Sequence, residues 1–143
     1  MSVSLQVTQT GDETPVLTIR VTDNGKGIAK DDLRLALMRH ATSKIASIED
    51  LGALLSYGFR GEALSSIAAV SKVTLRTREH TSQEGTMVVV DSGRIVSVTS
   101  AGCPAGTEVA VEDLFANLPA RRKHLKSAKV EASHCREIVE SYV

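Results

Sequence analysis

The sequence predicts a single α+β domain in which strands and helices fall in separate runs. Two segments that alternate apolar and polar residues open the chain, and segments with helical apolar spacing follow between residues 30 and 70. A series of short alternating segments then occupies residues 72–111, joined by turn residues. Consecutive alternating strands with short turns pair antiparallel, and helices segregated from them are typical of the α+β class.

The composition narrows the class of protein to which the chain can belong. The chain has 143 residues, 42% of them apolar, which is enough for the core of one domain. Its net charge is zero, so any contact with nucleic acid or an anionic membrane must come from a local patch. Cys103 and Cys135 lack the spacing of a zinc site or of a disulfide-dense scaffold. With no signal segment and no apolar run of about 20 residues, we expect an intracellular protein without a membrane span.

The first unusual feature is a carboxylate on the apolar side of a strand. Ser2–Gln9 and Val16–Asp23 are predicted to form a hairpin, and in the second strand Asp23 has the parity of Leu17, Ile19 and Val21. An ionised carboxylate in such a place needs a hydrogen-bond donor, either from the protein or from a bound ligand. Gly25 and Gly27 follow at once and permit positive φ or a close approach to a ligand. Taken alone, this pattern fits an ordinary turn as well.

Three helices are predicted after this turn. The first begins at Lys30-Asp31-Asp32 and runs to about Arg39. A capping box at Ser47–Asp50 begins the second, which ends near Gly58. The third carries Leu64, Ile67 and Ala68 on one face.

Two segments around these helices have the composition of phosphate-binding loops. Thr42, Ser43 and Lys44 group two hydroxyls with an ammonium, although polar loops are common. The segment Gly58-Phe59-Arg60-Gly61-Glu62-Ala63-Leu64 leads glycines into a helix, where unpaired N–H groups can meet an anion. It matches neither a Walker A loop nor a dinucleotide-binding fingerprint. A glycine helix cap with Arg60 paired to Glu62 is an equally good interpretation.

The remainder of the chain is predicted as an antiparallel meander followed by helices. Its strands lie around Val73–Thr77, Met87–Val90, Ile95–Val98 and Gly106–Val111. In the last of these strands, Thr107 has the parity of Val109 and Val111. Like Asp23, it is therefore a polar residue on the apolar side of a strand. A helix begins at Asn117-Leu118-Pro119 with proline at its first position and carries a basic run. The final segment has an apolar stripe at helical spacing that includes Val130, His134, Cys135, Ile138, Val139 and Tyr142.

Four motifs occur in a fixed order: DNGKGI, RHATSK, GFRGEAL and GTEVAVEDLFANLPARRKHL. With them the chain closely resembles the ATPase module of the MutL mismatch-repair family, which belongs to the wider group of gyrase B, Hsp90 and sensor histidine kinases. The GFRGEAL block and the PARRKHL block resemble MutL rather than the gyrase or kinase branches. The resemblance implies a two-layer α/β sandwich, with a mostly antiparallel sheet, helices on one face and nucleotide between the layers.

The resemblance also implies roles for particular residues. Asp23 would accept a hydrogen bond from the adenine amino group, supported by Thr107 directly or through water, and Gly25 and Gly27 would let the backbone approach base and ribose. A lid over the phosphates would contain Thr42, Ser43 and Lys44. The triphosphate would be wrapped by Gly58, Phe59, Arg60, Gly61, Glu62, Ala63 and Leu64, with Glu62 structural. Separately from the resemblance, the basic run that begins with Arg121, Arg122 and Lys123 suggests a weak, sequence-independent DNA contact, for which a solvated helix face is at least as good an explanation.

Residues 1–143 are expected to be a partial module of this type. Family members carry, ahead of the first strand, a helix with a water-activating Glu and an Mg²⁺-holding Asn, and further along a second domain with a phosphate-contacting lysine. None of these is recognisable in the sequence. Two functions therefore stay open, an ATP-driven switch in mismatch repair and a non-catalytic nucleotide- or protein-binding module. For the first, the expected cofactors are ATP and, in the complete module, Mg²⁺.

The same resemblance implies partners and a compartment. A complete protein would pair with a second MutL-type chain, act with a MutS-type mismatch-recognition protein and contact DNA weakly. It would be cytoplasmic in a bacterium and nuclear in a eukaryote.

We predict that the 143-residue chain by itself hydrolyses no ATP above background in a Mg²⁺-dependent phosphate-release assay. Without the metal ligand the triphosphate is neither neutralised nor oriented, and without a general base no water is activated. Adding an upstream helix with Glu and Asn at family spacing, together with the downstream domain, should restore slow hydrolysis. Robust release by the chain alone would place the base among its own carboxylates and contradict the structural role given to Glu62.

Overall fold

A six-stranded antiparallel sheet dominates the part of the chain that the structure, a computed structural model, describes, namely residues 3–10, 16–37 and 63–142. The strand order is β1-β2-β6-β3-β4-β5. The strands are β1 (Val3–Thr10), β2 (Val16–Asp23), β3 (Lys72–Arg78), β4 (Gly85–Asp91), β5 (Arg94–Ala101) and β6 (Gly106–Glu112). The helices of the described residues are α1 (Lys30–Leu37), α2 (Ala63–Ala69), α3 (Pro119–Arg122) and α4 (Ala128–Ser141).

The last strand lies inside the sheet. β6 pairs antiparallel with β2 on one side and with β3 on the other, so it joins the opening hairpin to the meander. The predicted pairing of β1 with β2 is confirmed, with Val3 opposite Asp23 and Thr10 opposite Val16. The α+β class and the antiparallel sheet are confirmed as well. The position of β6 could not be predicted from local pattern, because strand order depends on contacts distant in sequence.

A tight turn connects β4 to β5 and fixes their register. Ser92 and Gly93 both have positive φ, 48° and 84°, as a two-residue type I′ hairpin turn requires. The backbone N–H of Gly93 donates to the carbonyl of Ala68 at 2.8 Å, and that of Ser92 donates to Ser71 at 3.0 Å. The tip of this hairpin is therefore held against the end of α2.

The core lies between one face of the sheet and the helices α1 and α2. Leu33 and Leu37 of α1 and Ala68 of α2 pack against the inward side chains of three strands. Burial alternates along β3, where Val73 and Leu75 are fully buried and Arg76 is exposed, as a strand covered on one face requires. The buried cluster is completed by Val88, Val90 and Val111, with Ile19, Ile28, Leu64, Val98 and Val109 partly buried against it. Helices on one face of the sheet are thus confirmed.

The predicted buried face of α2 is partly wrong. Ala68 is buried and Leu64 packs on the core, but Ile67 is 38% exposed and Ser65 is buried instead. Successive residues of a helix are about 100° apart, so a face centred on Ser65 and Ala68 turns Ile67 to the side. Ser65 is small enough to lie against the sheet, which a pattern of apolar residues alone does not reveal.

The C-terminal helices form as predicted, but they bury little. Pro119 occupies the first turn of α3 after the cap residue Leu118. The helix α4 carries the predicted stripe, yet none of its residues is fully buried, and Ile138 and Tyr142 are largely exposed. The second predicted helix, around Leu51–Leu55, and the end of the first, Met38 to Arg39, lie outside the described residues.

We expect Leu75→Ala to lower the free energy of unfolding by about 2–5 kcal/mol, because it leaves a cavity at a fully buried position between sheet and helices. Urea denaturation followed by circular dichroism measures the change. Val96→Ala on the edge strand β5 is the control, since Val96 is 64% exposed and its truncation should cost less than about 1 kcal/mol. Equal effects of the two substitutions would contradict the assignment of the core.

Candidate functional site

Asp23 ends β2 at the point where β6 begins beside it. Its Oδ1 accepts hydrogen bonds from the backbone N–H of Gly25 at 2.8 Å and of Thr107 at 3.3 Å. The donor that the sequence demanded for this half-buried carboxylate is thus supplied by the protein itself. Oδ2, in contrast, has no hydrogen-bond partner among residues 3–10, 16–37 and 63–142. One carboxylate oxygen is fixed by the backbone, and the other is available as an acceptor.

Three polar side chains lie in one row across three neighbouring strands. Asp23 is opposite Thr107 in the pairing of β2 with β6, and Thr107 is opposite Thr77 in the pairing of β6 with β3. All three have the parity of the apolar residues that face the helices. The hydroxyl oxygens of Thr77 and Thr107 are 3.0 Å apart, which is hydrogen-bond distance. A polar strip therefore continues the apolar core at one end of the sheet.

Thr77 is the residue of this row that the sequence analysis missed as a site residue. Its Oγ1 also accepts the backbone N–H of Ile28 at 2.8 Å and lies 3.0 Å from the carbonyl oxygen of Gly106. A signal for it was present, because Thr77 follows Val73 and Leu75 in parity just as Thr107 precedes Val109 and Val111. Only the register of the strands brings the two threonines together.

The loop that follows Asp23 is held against the end of β3. Gly27 has φ 78°, and a Cβ there would collide with the carbonyl group of Arg78. Glycine is thus required at this position both by the backbone conformation and by a close approach of two backbones. His80 adds a contact from the same end of β3, with Nε2 lying 3.1 Å from the carbonyl oxygen of Gly25. The contacts with Arg78 and His80, like that of Thr77, fix the loop on the sheet.

A second glycine allows the start of β6 to pass close to the end of β2. Gly106 has φ 119°, and a Cβ there would collide with the carbonyl oxygen of Asp23. The loop before it is fastened by Arg78, whose Nε donates to the carbonyl of Cys103 at 2.8 Å. These contacts set the distance between Asp23 and Thr107.

Two cavities open around the polar row within the described part of the chain. One of about 190 Å³ lies at the end of the sheet, next to Asp23, Thr107 and the loop of residues 102–106, and extends to the face turned away from the helices, where Thr22, Arg76 and Glu108 also border it. The other, of about 240 Å³, is bordered by Ile28, Lys30, Thr77 and the turn after β3. On the opposite face of the sheet, Glu108 lies 3.3 Å from Arg76 and 3.7 Å from Arg20.

The remaining predicted site residues divide into two groups. Ala63 and Leu64 begin α2, where Ala63 is exposed and Leu64 contacts the core. Outside the described residues lie Thr42, Ser43, Lys44, Gly58, Phe59, Arg60, Gly61 and Glu62.

The basic residues that follow β6 form no uniform cluster. The guanidinium of Arg121 lies 5.9 Å from the centre of the Phe115 ring, a cation–π distance. Arg122 is half-buried and Lys123 is exposed.

Residues 3–10, 16–37 and 63–142 offer neither a metal-binding cluster nor a membrane-spanning helix. No group of three or more His, Cys, Asp or Glu side chains there is arranged to hold a metal ion, and Cys103 and Cys135 are free thiols. None of the four described helices is long and apolar enough to cross a membrane.

Comparison with known proteins identifies the class to which this fold and site belong. Residues 1–121 match the family described as histidine kinase-, DNA gyrase B- and HSP90-like ATPases, and the chain belongs to this family. Within it the chain is similar to MutL. It is 47% identical to DNA mismatch repair protein MutL of Desulforamulus reducens over 137 residues, covering 96% of this chain and 21% of that protein. It is 57% identical to MutL of Syntrophobacter fumaroxidans over 116 residues, covering 81% of this chain and 17% of that protein.

Solved structures give the same result. The Aquifex aeolicus MutL ATPase domain complexed with ADP superposes with a TM-score of 0.66 at 37% identity, covering 87% of this chain and 42% of that one. A crystal structure of the N-terminal domain of a DNA repair protein also superposes with a TM-score of 0.66, at 33% identity, covering 87% and 35%. The resemblance stated from the motifs and the two-layer fold are confirmed. The chain spans about a fifth of the length of the MutL relatives.

Proposed function

We propose that this chain is the ATP-binding portion of a MutL-like DNA mismatch repair protein and that the Asp23 carboxylate selects adenine. The proposal rests on the different surroundings of the two oxygen atoms of the Asp23 carboxylate. Oδ1 is held by two backbone N–H groups, whereas Oδ2 has no partner among the described residues. The similarity to a MutL ATPase domain complexed with ADP supports a nucleotide as the ligand.

The chemistry of the base explains the selection. Adenine carries an amino group, whose N–H donates to a carboxylate, whereas guanine has a carbonyl oxygen at the same position. Two acceptors facing each other leave a desolvated polar pair without a hydrogen atom between them, which costs binding free energy. Because Oδ1 is immobilised, the carboxylate cannot rotate freely to avoid the mismatch. Thr107 is opposite Asp23 in the strand pairing, and its hydroxyl lies 3.0 Å from that of Thr77 on the side of the sheet that faces the helices.

The phosphates of the nucleotide would be bound by the two segments that the sequence indicates. These are the lid residues Thr42, Ser43 and Lys44 and the glycine segment from Gly58 to Leu64. Lys44 and Arg60 would balance phosphate charge there. Mg²⁺ supplies further neutralisation of a triphosphate when it is bound. The described residues contain no cluster of His, Cys, Asp and Glu that fits a metal ion, so its ligands are not assigned.

In a complete protein we infer a conformational switch. ATP bound between the sheet and a closing lid would favour a dimer with a second MutL-type chain, and that state would engage a MutS-type mismatch-recognition protein. The protein would work in the cytoplasm of a bacterium or in the nucleus of a eukaryote. The non-catalytic alternative is a module that binds nucleotide, or only another protein, without turnover. Its nucleotide-binding form shares the same adenine site and differs in the outcome of the hydrolysis assay.

We expect Asp23→Asn to weaken ATP and ADP binding alike, by about tenfold or more, because an amide presents a donor where the adenine amino group needs an acceptor. Isothermal titration calorimetry of the chain measures this, and GTP should bind the unchanged protein less tightly than ATP. Asp91→Asn is a matched control, since Asp91 is an exposed carboxylate at the far end of β4. Equal affinity of the unchanged protein for ATP and GTP would contradict the assignment of Asp23.

A weak DNA contact is proposed for the segment around α3. Neutralising Arg121, Arg122 and Lys123 together should flatten the dependence of log K on log salt by roughly two to three if all three meet phosphates. Because Arg121 lies over Phe115 and Arg122 is half-buried, Lys123→Gln tests the exposed residue of the three that has neither feature, and it should change the slope by about one. Fluorescence anisotropy with a short duplex at several salt concentrations measures both. An unchanged slope in the triple variant would assign the cluster to a solvated surface.

A further inference from the structure

We propose that Thr77 is a positioning residue for adenine recognition, which acts by fixing the loop after Asp23 and the hydroxyl of Thr107. This inference rests on the proposed function of the Asp23 site. Thr77 is 1% exposed and lies at the end of β3, one strand further from Asp23 than Thr107. It is not among the residues that border the cavity next to Asp23, although it borders the cavity beside Ile28, and it acts through its neighbours.

The hydroxyl of Thr77 joins three separate segments of the chain. Oγ1 accepts the N–H of Ile28 at 2.8 Å and lies 3.0 Å from both the Gly106 carbonyl oxygen and the Thr107 hydroxyl. Ile28 is 49 residues from Thr77 in sequence and Gly106 is 29 residues away. One buried atom therefore connects the loop after β2, the end of β3 and the start of β6.

The Thr77 hydroxyl has a single hydrogen atom, so it can donate to only one of its two oxygen neighbours at a time. The N–H of Ile28 uses one lone pair of Oγ1, and the hydroxyl has a single hydrogen to donate. When that hydrogen goes to the Gly106 carbonyl, the Thr107 hydroxyl donates to Thr77 and presents lone pairs to the site. When it goes to Thr107 instead, the Thr107 hydroxyl is free to donate into the site. In both arrangements Thr77 decides which role Thr107 plays beside Asp23.

Thr77 also positions the loop between Asp23 and Ile28. The N–H of Gly25 must reach Asp23 Oδ1, at 2.8 Å, for Oδ2 to remain the free acceptor. The other end of the same loop is held at Ile28 by Thr77, while Gly27 lies against the Arg78 backbone. Loss of the Thr77 hydroxyl leaves the part-buried N–H of Ile28 without its protein acceptor, and the loop then gains by moving toward water. Movement of the loop changes the orientation of the Asp23 carboxylate.

The test compares Thr77→Val with Thr77→Ser. Valine has nearly the shape of threonine but no hydroxyl, whereas serine retains the hydroxyl and loses a methyl group. We expect the valine variant to bind ATP about tenfold more weakly, the loss that one or two buried hydrogen bonds produce. GTP affinity should change much less, so the preference for ATP over GTP should fall. Serine should restore that preference to within about twofold of the unchanged protein.

Two further measurements separate positioning from general stability. Thr74→Val is the matched control, because Thr74 lies on the same strand with opposite parity and has no part in the row. Amide hydrogen exchange at Ile28 should accelerate in Thr77→Val and remain unchanged in Thr74→Val. This readout needs no nucleotide.

The outcomes distinguish the inference from the proposed function. Parallel losses of ATP and GTP affinity in Thr77→Val, or unchanged exchange at Ile28, would overturn the positioning role. Absence of any preference for ATP over GTP in the unchanged protein would instead overturn the adenine assignment of Asp23. In that case faster exchange at Ile28 in the valine variant would still establish that Thr77 holds the loop.

Discussion

The pairing of β6 between β2 and β3 is the constraint on which the site depends. It brings Thr107 within hydrogen-bond distance of Asp23 across 84 positions of sequence and within the same distance of Thr77 across 30. Neither neighbouring strand pair could be formed by local contacts. The ladder hydrogen bonds and the apolar residues Val109 and Val111 hold β6 in place, so the stability of the core and the geometry of the polar row have the same origin.

Polar groups at the end of an apolar sheet face are tolerated because their buried atoms are satisfied. An unpaired buried hydroxyl or carboxylate costs about 1–3 kcal/mol or more, and no buried side-chain nitrogen or oxygen atom of the described residues is left without a partner. Thr77 is the most deeply buried member and is surrounded by protein partners, whereas Asp23 is half-buried and keeps one oxygen open. The hydrogen bonds of the Thr77 hydroxyl hold the buried end of the row in place. The open carboxylate oxygen of Asp23 remains able to bind a ligand.

Two glycines make this close arrangement possible. Gly27 and Gly106 both have positive φ, and both place backbone where any Cβ would meet another backbone segment. The space that they free is occupied by Arg78 and Asp23 respectively, so their first effect is on packing within the protein. An approach of the loop to a nucleotide base is compatible with this and remains a prediction.

In the part of the chain that the structure describes, the sequence by itself determined the element types and most of their boundaries, and it identified the family, because alternation, helical spacing and long motifs are local properties. It also singled out Asp23 and Thr107, since a polar residue on the apolar side of a strand is visible from parity alone. Only the tertiary structure decided that β6 lies between β2 and β3, that Ser65 rather than Ile67 faces the core, and that Thr77 completes the polar row. These depend on strand order, on the rotation of a short helix against the sheet and on register, and each is set by contacts between residues far apart in the chain.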